Sequence, residues 1–139
     1  MNVDCFLDTN VFVYAAMARF SAPEKYERAR LVIAETNFGL SAQVLQEFFV
    51  NVTRKADKPL STAEALEWID RLTDRPCVVI DRELVVEAAG IADRYRIHYW
   101  DGAIIAAATR LNAPILYTED LAHGQSYGPI KALNPFVPN

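Results

Sequence analysis

Cysteine and histidine are scarce in this chain, with two of each in 139 residues. Cys5 and Cys77 fall inside apolar runs and lack the paired spacings of a zinc site or a disulfide framework, so both are expected as reduced core thiols. A basic N-terminal region of the kind that opens a secretory leader is missing, since Asp4 and Asp8 come first. The longest early apolar run, Val11 to Ala18, is much shorter than the roughly 20 residues needed to cross a bilayer. A soluble, cytoplasmic protein with no membrane partner is the expectation. Positive charge is also in deficit, with 14 Lys and Arg against 18 Asp and Glu and a formal net charge of −4. Nucleic acid is therefore not held through bulk positive charge alone. Setting four acids aside as metal ligands leaves 14 against 14, and RNA stays admissible as a substrate.

Apolar material is plentiful. The hydrophobic fraction is 52% and the charged fraction 23%, enough for a packed interior at about the commonest domain size. No repeat, linker or low-complexity stretch interrupts the chain, and a single domain over 1–139 is expected.

Met1 to Leu7 reads as a short strand that stops at the turn-forming cluster Asp8-Thr9-Asn10. Ala22 to Glu35 has apolar residues at helical spacing, and Asn37-Phe38-Gly39 suits a helix C-terminus. A brief strand at Gly39 to Ser41 leads into a helix from Ala42 to Lys55, whose apolar stripe is Val44, Leu45, Phe48, Phe49 and Val52. Ser61 to about Leu72 is a further helix, with a capping box in Ser61-Thr62-Ala63-Glu64. Cys77 to Ile80 is expected as a strand buried on both faces, and Arg82 to Tyr95 as a helix. Asp101 to Leu111, rich in Ala and Ile, predicts a buried helix. Ala113 to Tyr117 and Ile130 to Leu133 predict two more strands, and Asn134 to Asn139 an extended tail. Strand and helix alternating through short connections predict a three-layer α/β/α sandwich on a mostly parallel sheet of four or five strands.

In open α/β sheets, ligands gather beyond the carboxyl ends of the strands, so acids at those ends carry the functional reading. Asp8 follows the first strand, where a helix cap or Asx-turn is the structural alternative. A helical wheel puts Glu47 with Gln43, Asn51 and Arg54, off the apolar stripe, as a solvated face would also be. The same wheel sets Asp101 beside Ile104, Ile105 and Ala108 in a helix apolar nearly all round, where a carboxylate needs a partner unless it caps the helix. Glu119 and Asp120 follow the strand that ends at Tyr117, again as ligand or turn. Like charges gathered at one crevice repel unless divalent cations sit between them. Oxygen-only ligation suits Mg²⁺ or Mn²⁺ rather than zinc, and His98 and His123 are not expected as ligands.

Four stretches carry a family resemblance: Phe6-Leu7-Asp8-Thr9-Asn10-Val11, Ser41-Ala42-Gln43-Val44-Leu45-Gln46-Glu47-Phe48, Tyr99-Trp100-Asp101-Gly102-Ala103-Ile104, and Leu116-Tyr117-Thr118-Glu119-Asp120-Leu121. In their order and spacing the chain resembles the PIN-domain family, in particular VapC-type toxins of bacterial toxin–antitoxin pairs. The resemblance implies an acidic quartet of Asp8, Glu47, Asp101 and Asp120 that holds Mg²⁺ or Mn²⁺. Thr9, Asn10, Thr118 and Glu119 would orient carboxylates or water around it. Many relatives have Asn or Arg where this chain has Glu119, which leaves Glu119 and Asp120 as alternatives for the fourth ligand, Asp120 being preferred. The implied activity is metal-dependent hydrolysis of RNA phosphodiesters. A small antitoxin whose tail crosses the active-site groove, and a homodimer, are the implied partners. Arg54, Lys55 and Lys58 form the one local basic group, either a solvated face or a phosphate contact. Leu66, Ile69 and Leu72 offer a stripe for core packing or for a dimer face.

Two other readings remain at this point. A PIN-like scaffold that binds RNA or protein without cutting differs only in function. A haloacid-dehalogenase-like phosphatase also begins with an Asp after its first strand, but wants a second Asp two positions on, where this chain has Asn10.

Overall fold

The computed structural model describes residues 2–138. Met1 of the expected first strand and Asn139 of the expected tail lie outside the described residues. Six strands form one sheet in the order β3-β2-β1-β4-β6-β5. They are β1 (Cys5–Leu7), β2 (Phe38–Ser41), β3 (Cys77–Val78), β4 (Ile115–Tyr117), β5 (Ser126–Tyr127) and β6 (Ile130–Leu133). Every pairing is parallel except β5 with β6, which is antiparallel. The central strands carry side chains that water does not reach, including Phe6, Leu7, Phe38, Leu40 and Leu116, as parallel strands covered on both faces require.

The helices are α1 (Thr9–Met17), α2 (Pro23–Glu35), α3 (Ala42–Val50), α4 (Thr62–Asp70), α5 (Arg82–Tyr95) and α6 (Tyr99–Arg110), with a π-helical turn at Asn51–Lys55. α1 packs on α2 and α3, and α5 packs on α6, which in turn lies against β2 and β6. This is the expected three-layer α/β/α arrangement. Ser61 and Glu64 close the capping box that begins α4, by bonds of 3.1 and 2.9 Å. Among the described residues no helix is long and apolar enough to cross a membrane.

Several expectations need correction. Asp8-Thr9-Asn10 is not a free turn, because α1 starts at Thr9 with Asp8 as its cap. The run Val11 to Ala18 is apolar on almost every side, so periodicity does not betray the helix in it. The first strand is shorter than Met1 to Leu7, covering only Cys5–Leu7. β3 stops at Val78, and Val79 and Ile80 are 66% and 46% exposed. β2 ends at Ser41, opposite Val78, so the ladder offers no partner to Val79 and Ile80. Cys77 on that edge is exposed, whereas Cys5 is a buried thiol as expected. Two-residue β5 raises the strand count to six, and nothing in so short a segment signals it. The helix expected to run through Lys55 changes to π geometry at Asn51.

Gly39 lies inside β2 instead of ending α2, which gives way to extended backbone at Thr36. A Cβ on Gly39 would strike the Leu111 side chain and stand 3.3 Å from the Pro76 carbonyl oxygen. Glycine is there for close approach. Gly102 plays the same part between helices: a Cβ there would come within 2.6 Å of the Ala88 carbonyl oxygen and 3.1 Å of the Ala92 nitrogen. Both of those atoms are backbone and cannot step aside. Gly102→Ala is therefore expected to push α6 off α5 and lower unfolding stability by about 2 kcal/mol, measured by urea denaturation. Overpacking dominates the small gain in helix propensity at that site.

Candidate functional site

The chain steps from β1 to β2 to β3 in one direction, then crosses to the other side of β1 for β4. The order of strands therefore reverses between β1 and β4, and a crevice opens beyond their carboxyl ends. Register places Leu7 opposite Tyr117, so the next residues, Asp8 and Thr118, arrive side by side at its floor. The Asp8 amide extends the ladder by donating to the Tyr117 carbonyl at 3.1 Å.

Asp8 is buried and holds both carboxylate oxygens in fixed bonds. Oδ1 accepts from the Thr9 amide at 2.7 Å, which caps α1, and Oδ2 accepts from the Thr118 hydroxyl at 2.8 Å. The structural alternative for Asp8 is thus true as far as it goes. It leaves unexplained why a carboxylate lies so deep with no lysine or arginine paired to it among the described residues. Burial raises the Asp8 carboxyl to about 7, against the two hydrogen bonds that favour its charge, and repulsion from Asp120 and Glu47 adds to the rise.

Those two groups and a further acid, Asp101, come from three other elements. Glu47 stands on α3, and its Oε1 accepts from the Thr9 hydroxyl at 2.7 Å. Asp101 lies in the first turn of α6, where the cap position belongs to His98 and no side chain caps the helix. The capping alternative for Asp101 falls with that observation. Burial raises the Asp101 carboxyl, with repulsion from Asp120 and Glu47 pushing the same way and His98 opposing. Asp120 follows β4, and its amide donates to the Thr118 hydroxyl oxygen at 3.1 Å. Its carboxyl too is raised, by burial first, then by Glu119 and Glu47. Among the described residues none of the four acids has a lysine or arginine at ion-pair distance. Nor do any three His, Cys, Asp or Glu side chains there close on one point as a finished cage. The arrangement is an open cluster of carboxylates, three of them raised, with a preorganised floor.

The remaining residues singled out by sequence divide. Thr9 and Thr118 each touch carboxylates of the cluster. Asn10 instead donates to Glu119 Oε1 at 3.3 Å. Glu119 itself turns to Tyr14, whose hydroxyl donates at 2.7 Å, and to Lys25 at 2.8 Å. It is neutralised where it stands, and Asp120 is not. Arg54, Lys55 and Lys58 are exposed, and of these Lys55 borders the cavity beside Glu47. His123 accepts from the Asn134 amide at 2.8 Å, away from the cluster.

Sequence reasoning gave no role to Trp100, Gln46, Tyr14 or Lys25. Trp100 and Gln46 line the same cavity as Glu47, and Trp100 is 64% exposed. The signal for Trp100 was an aromatic immediately before a candidate ligand; for Lys25 and Tyr14, far apart in sequence from Glu119, there was none.

Solved structures of similar fold include a toxin–antitoxin complex from Klebsiella pneumoniae, 16% identical, covering 94% of this chain and 97% of that one with a TM-score of 0.66. VapC20 of Mycobacterium tuberculosis, described as a sarcin–ricin loop cleaving toxin, is 18% identical over 84% of this chain and 89% of its own, with a TM-score of 0.68. VapBC2 from Rickettsia felis, bound to a DNA fragment from its promoter, is 21% identical over 82% and 86%, with a TM-score of 0.55. At such identities the likeness speaks for the fold alone. A comparison with curated protein sequences finds no match. The family model of the PIN domain, however, matches residues 5–125, a span that runs from β1 past Asp120 and takes in all four acids, and the chain belongs to the PIN-domain family.

Proposed function

We propose that this chain is a divalent-cation-dependent endoribonuclease in which Asp8, Glu47, Asp101 and Asp120 hold Mg²⁺ or Mn²⁺. One observation carries the reading. Four carboxylates from four elements lie close enough to repel at the sheet's reversal point, and each of the three with a raised pKa is raised in part by another of the four. Like charges gathered with no lysine or arginine at ion-pair distance among the described residues are an arrangement that folding alone disfavours and a hard cation relieves. The donor set is all oxygen, which fits Mg²⁺ or Mn²⁺ and not a thiolate- or imidazole-seeking metal.

When bound, the cation supplies activation of water and neutralisation of charge on the phosphodiester. What the chain supplies is position. Thr9 ties the Asp8 cap to Glu47, and Thr118 joins Asp8 to the backbone of Asp120. Asp120 takes the fourth place because Glu119 is occupied by Lys25 and Tyr14.

The biological setting we infer is the toxin of a type II toxin–antitoxin pair, acting in the cytoplasm as one domain over 1–139, as a homodimer and under a small antitoxin. Support comes from the family and from neighbours described as toxins or as toxin–antitoxin complexes. A scaffold that binds without cutting has no need of four unneutralised acids at one crevice.

The deciding experiment incubates the purified protein with RNA in Mg²⁺ or Mn²⁺, with and without excess chelator. Cleavage that needs the cation is the expected result; cleavage indifferent to chelator overturns the reading. Thr118→Val, which removes the bridge between Asp8 and Asp120, is expected to raise the Mg²⁺ concentration for half-maximal cleavage by about tenfold or more.

A further inference from the structure

Beside the carboxylates lies a second feature that metal binding does not require. A cavity of about 350 Å³ opens against Glu47, and its other walls include Gln43, Gln46, Asn51, Lys55 and Trp100. We infer that it receives one unpaired nucleotide of the RNA, with the base stacked on the Trp100 indole and a phosphate met by Lys55. The inference rests on the ribonuclease reading and names a part of its substrate that the acids leave undefined.

Trp100 is the first reason. A tryptophan 64% exposed leaves a large apolar ring in water, which side chains of this size ordinarily avoid. It is nevertheless held in place. Tyr99 packs against it T-shaped, with centroids 5.0 Å apart and planes at 82°. Gln43 is 8% exposed and donates its Nε2 to the Trp100 carbonyl at 3.2 Å. That bond ties α3 to the start of α6 across the cavity floor, one residue from Asp101. A fixed, exposed aromatic plane next to a phosphodiester-cutting centre suits a nucleobase, because every base offers a π-face.

Lys55 is the second reason. An unbroken α-helix would put Arg54 on the face of Glu47 and Asn51. The wider π turn at Asn51–Lys55 rotates each residue less, and it is Lys55 that borders the cavity. Among the described residues no acid stands at ion-pair distance from it, so its charge is available to phosphate. On the same cavity wall, the amides of Gln46 and Asn51 present both donors and acceptors, which meets the edges of different bases. A base inside a duplex exposes no face to stack, so the occupant must come from a loop, a bulge or a single strand.

The test measures binding of a labelled unpaired oligoribonucleotide, and of the same sequence annealed to its complement, by fluorescence anisotropy in Mg²⁺. Binding is read on the Asp101→Asn background, which leaves the RNA whole, and steady-state cleavage is read on the otherwise unaltered protein. Trp100→Ala is expected to weaken binding of the unpaired strand about tenfold, to erase its advantage over the duplex, and to raise KM rather than lower kcat. Trp100→Phe, which keeps an aromatic plane, is expected to restore most of the affinity. Lys55→Gln should flatten the slope of log affinity against log salt by about 0.7. If Trp100→Ala binds and cuts within twofold of the parent, or the duplex binds as tightly as the single strand, the nucleotide subsite is wrong while the nuclease reading stands. If the parent binds through Trp100 but never cuts, the nuclease reading falls and the subsite survives. If the parent neither binds nor cuts, both fall.

Discussion

Asp101→Asn is expected to fold normally and to lose RNA cleavage by on the order of a hundredfold or more in Mg²⁺. Residues that merely orient a ligand already change metal affinity or activity by about 10 to 100-fold, and Asp101 is proposed as a ligand itself. The substitution is nearly isosteric. It removes a charge from a helix start where no capping bond is lost, since the cap position is His98 and no side chain serves it. Structural damage is therefore a poor explanation for any loss that is seen. Circular dichroism and a urea midpoint equal to or above the parent's would show the fold intact, while gel-based cleavage over a Mg²⁺ titration reads the function. Two outcomes are informative against the proposal. Cleavage retained within threefold would remove Asp101 from the cation site, and cleavage lost together with the fold would return it to a structural role. Glu119→Gln is the useful comparison. That carboxylate is engaged with Lys25 and Tyr14, so its neutralisation should leave the cation requirement near the parent's.

Asp101 also shows what a sequence reading can reach. Its significance was legible because an acid in a helix that is apolar on every face has no cheap explanation, and the structure buries seven consecutive residues after it, from Gly102 to Ala108. The α5 limits, Arg82–Tyr95, were legible because the helical periodicity is strong, and the structure adds Asp81, which caps the start by accepting from the Leu84 amide at 2.8 Å. Asp8 was harder, because cap and ligand demand the same residue in the same place, and the structure makes it a cap. Illegible features were those decided by partners distant in sequence. β3 was read as a buried strand from its apolar run, but its place at the sheet edge follows from pairing with β2 alone. α1 was missed because a segment apolar on almost every side lacks the polar face that gives a helix its period. That Glu119 is engaged and Asp120 is not depends on Tyr14 and Lys25, over 90 residues away from Glu119 in the chain. Lys55 replaced Arg54 at the cavity because one turn of π-helix shifts the face, and helical wheels assume that no such turn occurs.

The buried carboxyl of Asp8 leads to the second large effect, on stability without metal. Its pKa rises from 3.8 to about 7 on folding, chiefly because burial penalises its charged form. The native state therefore binds this proton more tightly than the unfolded chain does. Below about pH 4 both states carry the proton and no penalty exists. Between pH 4 and pH 7 the unfolded chain has released it and the native state has not, so stability falls as pH rises. Above pH 7 both states are ionised and the loss is complete, amounting to about 4 kcal/mol for a shift of this size. Asp101 and Asp120 shift the same way and add to the trend. Asp8→Asn keeps the capping acceptor for the Thr9 amide, and its new amide group meets the Thr118 hydroxyl oxygen, which has lone pairs to accept it. In excess chelator, the parent is expected to unfold at lower urea at pH 8 than at pH 5, while Asp8→Asn at pH 8 gains a large part of what the parent has lost. Saturating Mg²⁺ should reverse the ranking at pH 8, because an ion bound only by the folded parent stabilises it by mass action and the variant has given up a ligand. A parent with the same midpoint at both pH values in chelator, and a variant that gains nothing, would show that the Asp8 charge is already compensated by groups of the chain. The cluster would then have no need of a cation.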